Sequence, residues 1–149
     1  MFGKVKDRVR RLGVRKIKSN KPIDIKKITY HSLHYPASQG IEFFLSAEYK
    51  NQLLGYCRLR FPHESLRTEI TKDSALLREL HVVGQLTAIG SKGKQIQHIG
   101  IGKKLMQQAE KISRTHHKNK MVVISGIGVR DYYQQLGYML EVCYMVKRL

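Results

Sequence analysis

Gln97-His98-Ile99-Gly100-Ile101-Gly102 runs without a break into Lys103-Lys104-Leu105-Met106-Gln107-Gln108-Ala109-Glu110. A glycine-spaced turn that opens directly into an amphipathic helix has the form of a phosphate cradle. The glycines let the backbone take positive φ and come close to a ligand. The first helical N–H groups have no partners within the helix, and the positive end of the helix dipole points the same way. Together these features hold a pyrophosphate with little help from side chains. A bare Gly-x-Gly also occurs in turns that bind nothing, so its neighbours must decide the matter.

Upstream, Ala75 to Gly84 reads as a buried strand, and the helix after the cradle is predicted over 102–117. Its Leu105, Ala109 and Ile112 share one face, opposite Lys103, Lys104, Gln107 and Lys111. Met121 to Gly126 reads as a second strand. Val129 to Tyr138 contains a short helix closed by Gly137. Tyr138 to Val146 then reads as one last hydrophobic strand. Before the cradle strand, Ile23 to Tyr30 reads as a short strand entered through Pro22, and 31–40 as a loop broken by Pro36 and Gly40. Ile41 to Tyr49 and Leu53 to Phe61 form an expected antiparallel hairpin turning at Asn51-Gln52. Residues 62–73 are polar and irregular, with a helical turn expected near Glu64 to Thr68.

A length of 149 residues suits one domain with a real core. No apolar run is long enough to span a bilayer, so no membrane association is expected. Cys57 and Cys143 lie far apart and outside any metal-type pairing; both are expected to be buried small hydrophobes, which suits a reducing compartment. Charge is the strongest compositional signal. The formal net charge is +17. Residues 1–30 hold eleven Lys/Arg against Asp7 and Asp24, and the remainder hold seventeen against nine acids. That concentration marks residues 1–22 as a basic segment ahead of a folded unit over 23–149, and it points to nucleic acid. A solubilising tail or a nuclear or organelle address are the other readings. Arg58 and Arg60 share a strand face, a solvated exposed face in the plainer reading; in the other they extend the candidate surface together with Lys92 and Lys94.

The order strand, Gln-x-x-Gly-x-Gly, helix, strand, Tyr-x-x-x-Gly-Tyr resembles the GNAT superfamily of acetyl-CoA-dependent N-acetyltransferases. Four segments sharpen the likeness: Arg78-Glu79-Leu80-His81-Val82, Gln97-His98-x-Gly-x-Gly, Val123-Ile124-Ser125-Gly126-x-Gly128-x-Arg130-x-Tyr132-Tyr133, and Tyr144-Met145-Val146-Lys147. They resemble the acetyltransferase domain of the catalytic subunit of Elongator, a family that modifies the wobble uridine of tRNA. The likeness is close over roughly the last half of the chain and weaker back to about Gln39. It implies an α/β (α+β) fold, with a mixed, mostly antiparallel sheet that splays at a cofactor wedge and is flanked by helices. It also implies acetyl-CoA as substrate and tRNA as partner. The family's radical-SAM domain and its Cys-x-x-x-Cys-x-x-Cys are not in this sequence, so neither an iron–sulfur cluster nor SAM is expected here. A separate radical-SAM protein acting in trans is therefore a candidate partner, and a cytoplasmic setting, or a nuclear one, is implied.

By the same resemblance, Glu79, Leu80, His81 and Val82 hold the pantetheine arm, and Gln97, Gly100, Ile101, Gly102, Lys103 and Lys104 hold the pyrophosphate. Lys103 and Lys104 would be unfavourable at a bare helix N-terminus. An anion such as the CoA 3′-phosphate accounts for them. Glu79, a carboxylate in an otherwise apolar strand, is the candidate base or water-ordering group; a partner for Arg78 is the plainer alternative. His81, on the same face, is its competitor. Tyr133, four residues before Gly137, is the candidate proton donor to the leaving thiolate and also contacts the cofactor. Tyr132 is expected to point elsewhere. Three functions survive: an Elongator-type acetyltransferase acting on or stimulated by tRNA, a protein-lysine or small-amine N-acetyltransferase, and a non-catalytic RNA-binding module that keeps the fold.

Overall fold

A computed structural model describes residues 23–83 and 100–149. The predicted basic segment 1–22 lies outside that range.

Among the described residues the strands form one seven-stranded sheet. Chain order runs β1 (Thr29–Ala37), β2 (Gly40–Tyr49), β3 (Gln52–Phe61), β4 (Ser74–Val82), helix α1 (Ile101–Thr115), β5 (Lys120–Val123), helix α2 (Arg130–Gln135), β6 (Met139–Glu141) and β7 (Tyr144–Arg148). Spatial order is β1-β2-β3-β4-β5-β7-β6. Only β4 and β5 run parallel, and α1 makes the crossover between them.

The β2–β3 hairpin forms as its alternation predicts, with the turn at Lys50 and Asn51, both at positive φ. Three other segments differ from expectation. The strand expected from Ile23 to Tyr30 begins only at Thr29: before it Asp24 accepts from the Lys26 N–H and caps a short 3₁₀ turn, Ile25–Lys27. The expected loop over 31–40 is instead most of β1, paired with β2 from Thr29↔Glu48 to Ala37↔Gly40. β1 ends the sheet, so Pro36 sits where a missing N–H costs no ladder bond. The expected single strand from Tyr138 to Val146 is a hairpin, β6–β7, turning at Val142, whose φ is +58°. Cys143 lies on that turn and is exposed; Cys57 is fully buried.

The main core lies on one face of the sheet. Phe43, Leu45, Cys57, Leu59, Ala75, Leu77, Met121, Val123 and Met145 pack there against Ile101, Leu105, Met106 and Ala109 of α1 and Tyr133 and Tyr138 from the α2 region. On the opposite face Ile70, Leu76, Val122 and Val146 form a smaller cluster.

Candidate functional site

The site begins where β4 and β5 part. Their ladder covers Ser74↔Lys120 to Leu77↔Val123, and its last rung is the Ile124 N–H donating to the Leu77 carbonyl at 3.1 Å. β4 continues to Val82, paired only with β3 among the described residues. The Val83 N–H donates to the Leu54 carbonyl at 2.8 Å, which fixes the alternation on that side. The N–H and C=O of Leu80 and Val82 therefore point away from β3, into the gap left by β5. Those of Glu79 and His81 point to β3.

Helix α1 starts beside this gap. Gly100 is its N-cap at φ +81°, and no side chain among the described residues caps it. Its first ladder bond is Lys104 N–H to the Gly100 carbonyl, 2.9 Å, so the N–H groups of Ile101, Gly102 and Lys103 precede the ladder. The Lys104 ammonium rests over the Tyr30 ring, 4.7 Å from its centroid. Gly55 of β3 lets this end of the helix settle on the sheet: a Cβ there would stand 2.9 Å from the His81 carbonyl and 3.3 Å from Ile101 Cγ2.

Tyrosines from α2 approach the same place. Tyr133 is buried, its ring edge-on to Tyr132 at 5.3 Å and to Tyr138 at 5.9 Å. Burial, chiefly, pushes its phenol up to about 12. Tyr132 does not point away from the site. A Cβ added at Gly102 would lie 2.6 Å from the Tyr132 hydroxyl and 3.5 Å from Val82 Cγ2, so this hydroxyl rests on the start of α1 beside the gap. Neighbouring helical side chains differ by about 100°. With Tyr133 turned into the core, Tyr132 falls toward α1. The sequence marks this position only as part of the Arg130-x-Tyr132-Tyr133 segment, without showing which tyrosine faces α1.

Glu79 lies on the other face of the sheet, in a polar setting. Its side chain is 41% exposed, accepts a hydrogen bond from the Tyr56 hydroxyl at 2.6 Å and lies 3.6 Å from Arg58. The expected apolar surroundings of this carboxylate are not what the strand provides. Burial, and then the bond to Glu79, push the Tyr56 phenol up to about 12. Arg58 also reaches Glu42 at 3.1 Å, and Arg78 reaches Glu42 at 2.7 Å. Burial alone would raise the Glu42 carboxyl, but hydrogen bonds from Arg58, Tyr35 and Arg78 outweigh it and hold the group below the usual carboxylate range. The His81 ring flanks Tyr56 at 5.7 Å, and Tyr56 stacks on Phe44 at 5.3 Å. Arg60 donates to the Ser38 carbonyl. The structure thus gathers Leu80, Val82, Ile101, Gly102 and the Tyr132 hydroxyl near one end of the gap, with Tyr133 in the core against the Tyr132 ring and Glu79 and His81 on the far face of β4. Gln97, His98, Lys92 and Lys94 lie outside the described residues.

A parallel pair that separates halfway, next to a glycine-capped helix, defines a class. The model of the acetyltransferase (GNAT) family matches residues 15–138, and the chain belongs to that family. A GNAT-family acetyltransferase structure from Desulfovibrio desulfuricans, 15% identical, superposes with a TM-score of 0.56 over 82% of this chain and 98% of its own, a likeness of fold. Nearer relatives are more particular. The tRNA uridine(34) acetyltransferase of Methanocaldococcus jannaschii is 44% identical over 85% of this chain and 24% of its own length. Elongator complex protein 3 of Danio rerio is 40% identical over 95% of this chain and 26% of its own. The structure of archaeal Methanocaldococcus infernus Elp3 with an N-terminal deletion matches at 41% identity and a TM-score of 0.74, covering 86% of this chain and 31% of that one. The chain spans about a quarter of the length of the curated relatives it matches.

Proposed function

We propose that this chain is an acetyl-CoA-dependent acetyltransferase unit of the Elongator type, acting on tRNA or stimulated by it in wobble-uridine modification. The observation that carries this reading is the gap between β4 and β5 beside the start of α1, which no side chain among the described residues caps, in a chain 44% identical to an archaeal tRNA uridine(34) acetyltransferase and 40% identical to an Elongator complex protein 3. The residues fit acetyl-CoA. Leu80 and Val82 offer a pantetheine arm backbone N–H and C=O groups that have no partner among the described residues, as an added strand would. The N–H groups of Ile101, Gly102 and Lys103 face the pyrophosphate, helped by Gln97. Acetyl-CoA supplies an acyl thioester already activated for attack. Glu79 takes the proton of the attacking group or orders a water, and Tyr133 gives its phenolic proton to the departing sulfur. The basic segment 1–22 contributes phosphate contacts to RNA. A radical-SAM protein in trans, and a cytoplasmic or nuclear setting, complete the proposal. No helix among the described residues is long and apolar enough to cross a membrane.

The test is incubation with labelled acetyl-CoA, alone, with bulk tRNA, and with a lysine-bearing peptide. Consumption stimulated by tRNA is the expected result. Transfer to the peptide, with no response to tRNA, would make the chain a lysine or small-amine acetyltransferase. RNA binding without any thioester consumption would make it a non-catalytic module.

A further inference from the structure

The carboxy-terminal run Tyr144-Met145-Val146-Lys147 has no part in the chemistry proposed above. Its lysine occupies a junction. Lys147 Nζ lies 3.0 and 3.1 Å from the two carboxylate oxygens of Glu110 on α1, and donates to the carbonyl of Leu136, the C-cap of α2, at 3.0 Å. Glu110 also accepts from the Tyr138 hydroxyl at 2.9 Å, and the Lys147 ammonium stands over the Tyr138 ring. The Glu110 side chain is 8% exposed and Arg114 approaches it at 3.5 Å. Tyr138 is fully buried, edge-on to Tyr133, and its N–H donates to the Tyr133 carbonyl at 3.0 Å.

Helix α2 has only six residues, too few to hold a direction by itself. Its attachments must do so. Near one end the Tyr132 hydroxyl lies against Gly102, a contact that a swing of the ring can give up, so the firmer hold must come from the other end. At the other end Lys147 holds the last carbonyl, and Glu110 holds both Lys147 and Tyr138. Both attachments end on the cradle helix α1. The pair is half-buried, with the Lys147 side chain 27% exposed, and desolvation offsets much of its attraction, so it is a poor stabiliser compared with well-packed apolar groups. Fixing one geometry is the better account of it.

We infer that Glu110 and Lys147 are positioning residues that set where the Tyr133 hydroxyl stands relative to the cradle at Gly102. The inference rests on the proposed role of Tyr133 as proton donor. Neither residue reaches the gap itself; they act through Leu136, Tyr138 and the Tyr133 ring.

The test uses the full chain carrying Lys147→Met, with Tyr138→Phe as a milder second variant in case the first does not fold. Turnover of acetyl-CoA and its affinity are measured in the wild-type and Tyr133→Phe backgrounds. The expected result is a kcat about tenfold lower, the scale set by a sub-ångström misplacement, with affinity nearly unchanged. In the Tyr133→Phe background the further loss should stay below about twofold, because the group being positioned is already gone. Equal losses in both backgrounds would mean general loosening and would overturn the inference. A second readout does not depend on activity. In protein labelled with 3-fluorotyrosine, the resonance that disappears in Tyr133→Phe belongs to Tyr133. It should shift in Lys147→Met while that of Tyr49, assigned in the same way, stays in place. If the wild type consumes no acetyl-CoA, the proposed chemistry fails, and this spectrum alone decides the brace: movement upholds it and an unmoved Tyr133 resonance overturns it.

Discussion

Replacing Gly102 by alanine separates binding from stability at the cradle. The new Cβ would stand 2.6 Å from the Tyr132 hydroxyl oxygen and 3.5 Å from Val82 Cγ2. The second distance is ordinary contact; the first is about 0.8 Å too short for carbon against oxygen. The atom in the way is the far end of a side chain that is 36% exposed, so it can swing outward at little cost. Against that small cost, alanine in place of glycine in a helix gains up to about 1 kcal/mol. The net change in stability should be near zero or slightly favourable, a rise of at most about 3 °C in Tm for a chain of this size. Binding should respond the other way. The methyl group itself narrows the approach to the N–H groups of Ile101, Gly102 and Lys103. Loss of one or two charge-assisted hydrogen bonds, at about 1.5–3 kcal/mol each, lowers acetyl-CoA affinity by at least about tenfold. Thermal unfolding and titration calorimetry on the same preparation read both quantities. Unchanged affinity in a folded variant would refute the cradle assignment. A fall of 10 °C or more in Tm would refute the claim that Tyr132 yields freely.

Gly55→Ala should behave differently, because its Cβ would meet the His81 carbonyl, a backbone atom that cannot step aside. It should cost about 1–3 kcal/mol by denaturant titration and weaken acetyl-CoA binding as β4 and the start of α1 are pushed apart; a neutral effect would contradict the packing described. Tyr133→Phe should lower turnover by roughly 10²-fold with the cofactor still bound. Since burial holds that phenol near 12, it stays protonated through pH 7–10, and wild-type kcat should show no falling limb there from this group; a limb near the ordinary tyrosine value that vanished in the Phe variant would uphold the donor role but contradict the burial that raises the phenol. Cys57 goes from its ordinary 9.0 to about 12 on burial, so the unfolded chain ionises first and stability falls as pH rises from about 9 toward 12, by up to about 4 kcal/mol. In Cys57→Ala that part of the alkaline slope should disappear from urea titrations run at several pH values. Deleting residues 1–20 should weaken tRNA binding and flatten its salt dependence; equal affinities for the two forms across a salt series would return that segment to a tail or an address.

Elements with strong local signals were legible in the sequence. The cradle helix has its apolar stripe and glycine start, and the β2–β3 hairpin has strict alternation with a polar turn. What escaped depended on neighbours. β1 is an edge strand whose residues are mostly half-buried or exposed, so His31, Ser32, His34 and Pro36 read as a loop until β2 supplies a partner. The β6–β7 turn carries Val142 at positive φ, a residue that gives no turn signal. At the site, the order of glycines and tyrosines was legible, but not which tyrosine faces α1, since that follows from how a six-residue helix is rotated against its neighbours. The partners of Glu79, Tyr56 and Arg58, come from a strand more than twenty residues earlier and appear only when the register is known.

That register contains the step on which the arrangement turns. Ala75 and Leu77 face the helices, and strict alternation would send Glu79 to the same side, into an apolar core. The pairing shifts instead: Leu59 opposes Leu77 and Arg58 opposes Glu79, which leaves Arg78 as the extra residue of a bulge. Beyond it the phase is reversed. Leu80 and Val82 pack toward the helices, while Arg78 and Glu79 both reach the Glu42–Arg58 network on the open face. One inserted residue therefore spares the protein an uncompensated buried carboxylate, which would cost several kcal/mol. The same shift, just past the last β4–β5 rung, points the backbone of Leu80 and Val82 into the gap. The bulge thus separates the two sides of the proposed reaction. The thioester would lie among backbone groups, helix start and tyrosines on the covered face, and the attacking group would come from the open face, where Glu79 is already oriented by the Tyr56 hydroxyl. A carboxylate reached from solvent and held in one orientation by a phenol is open to an incoming nucleophile, as one sealed beneath α1 would not be.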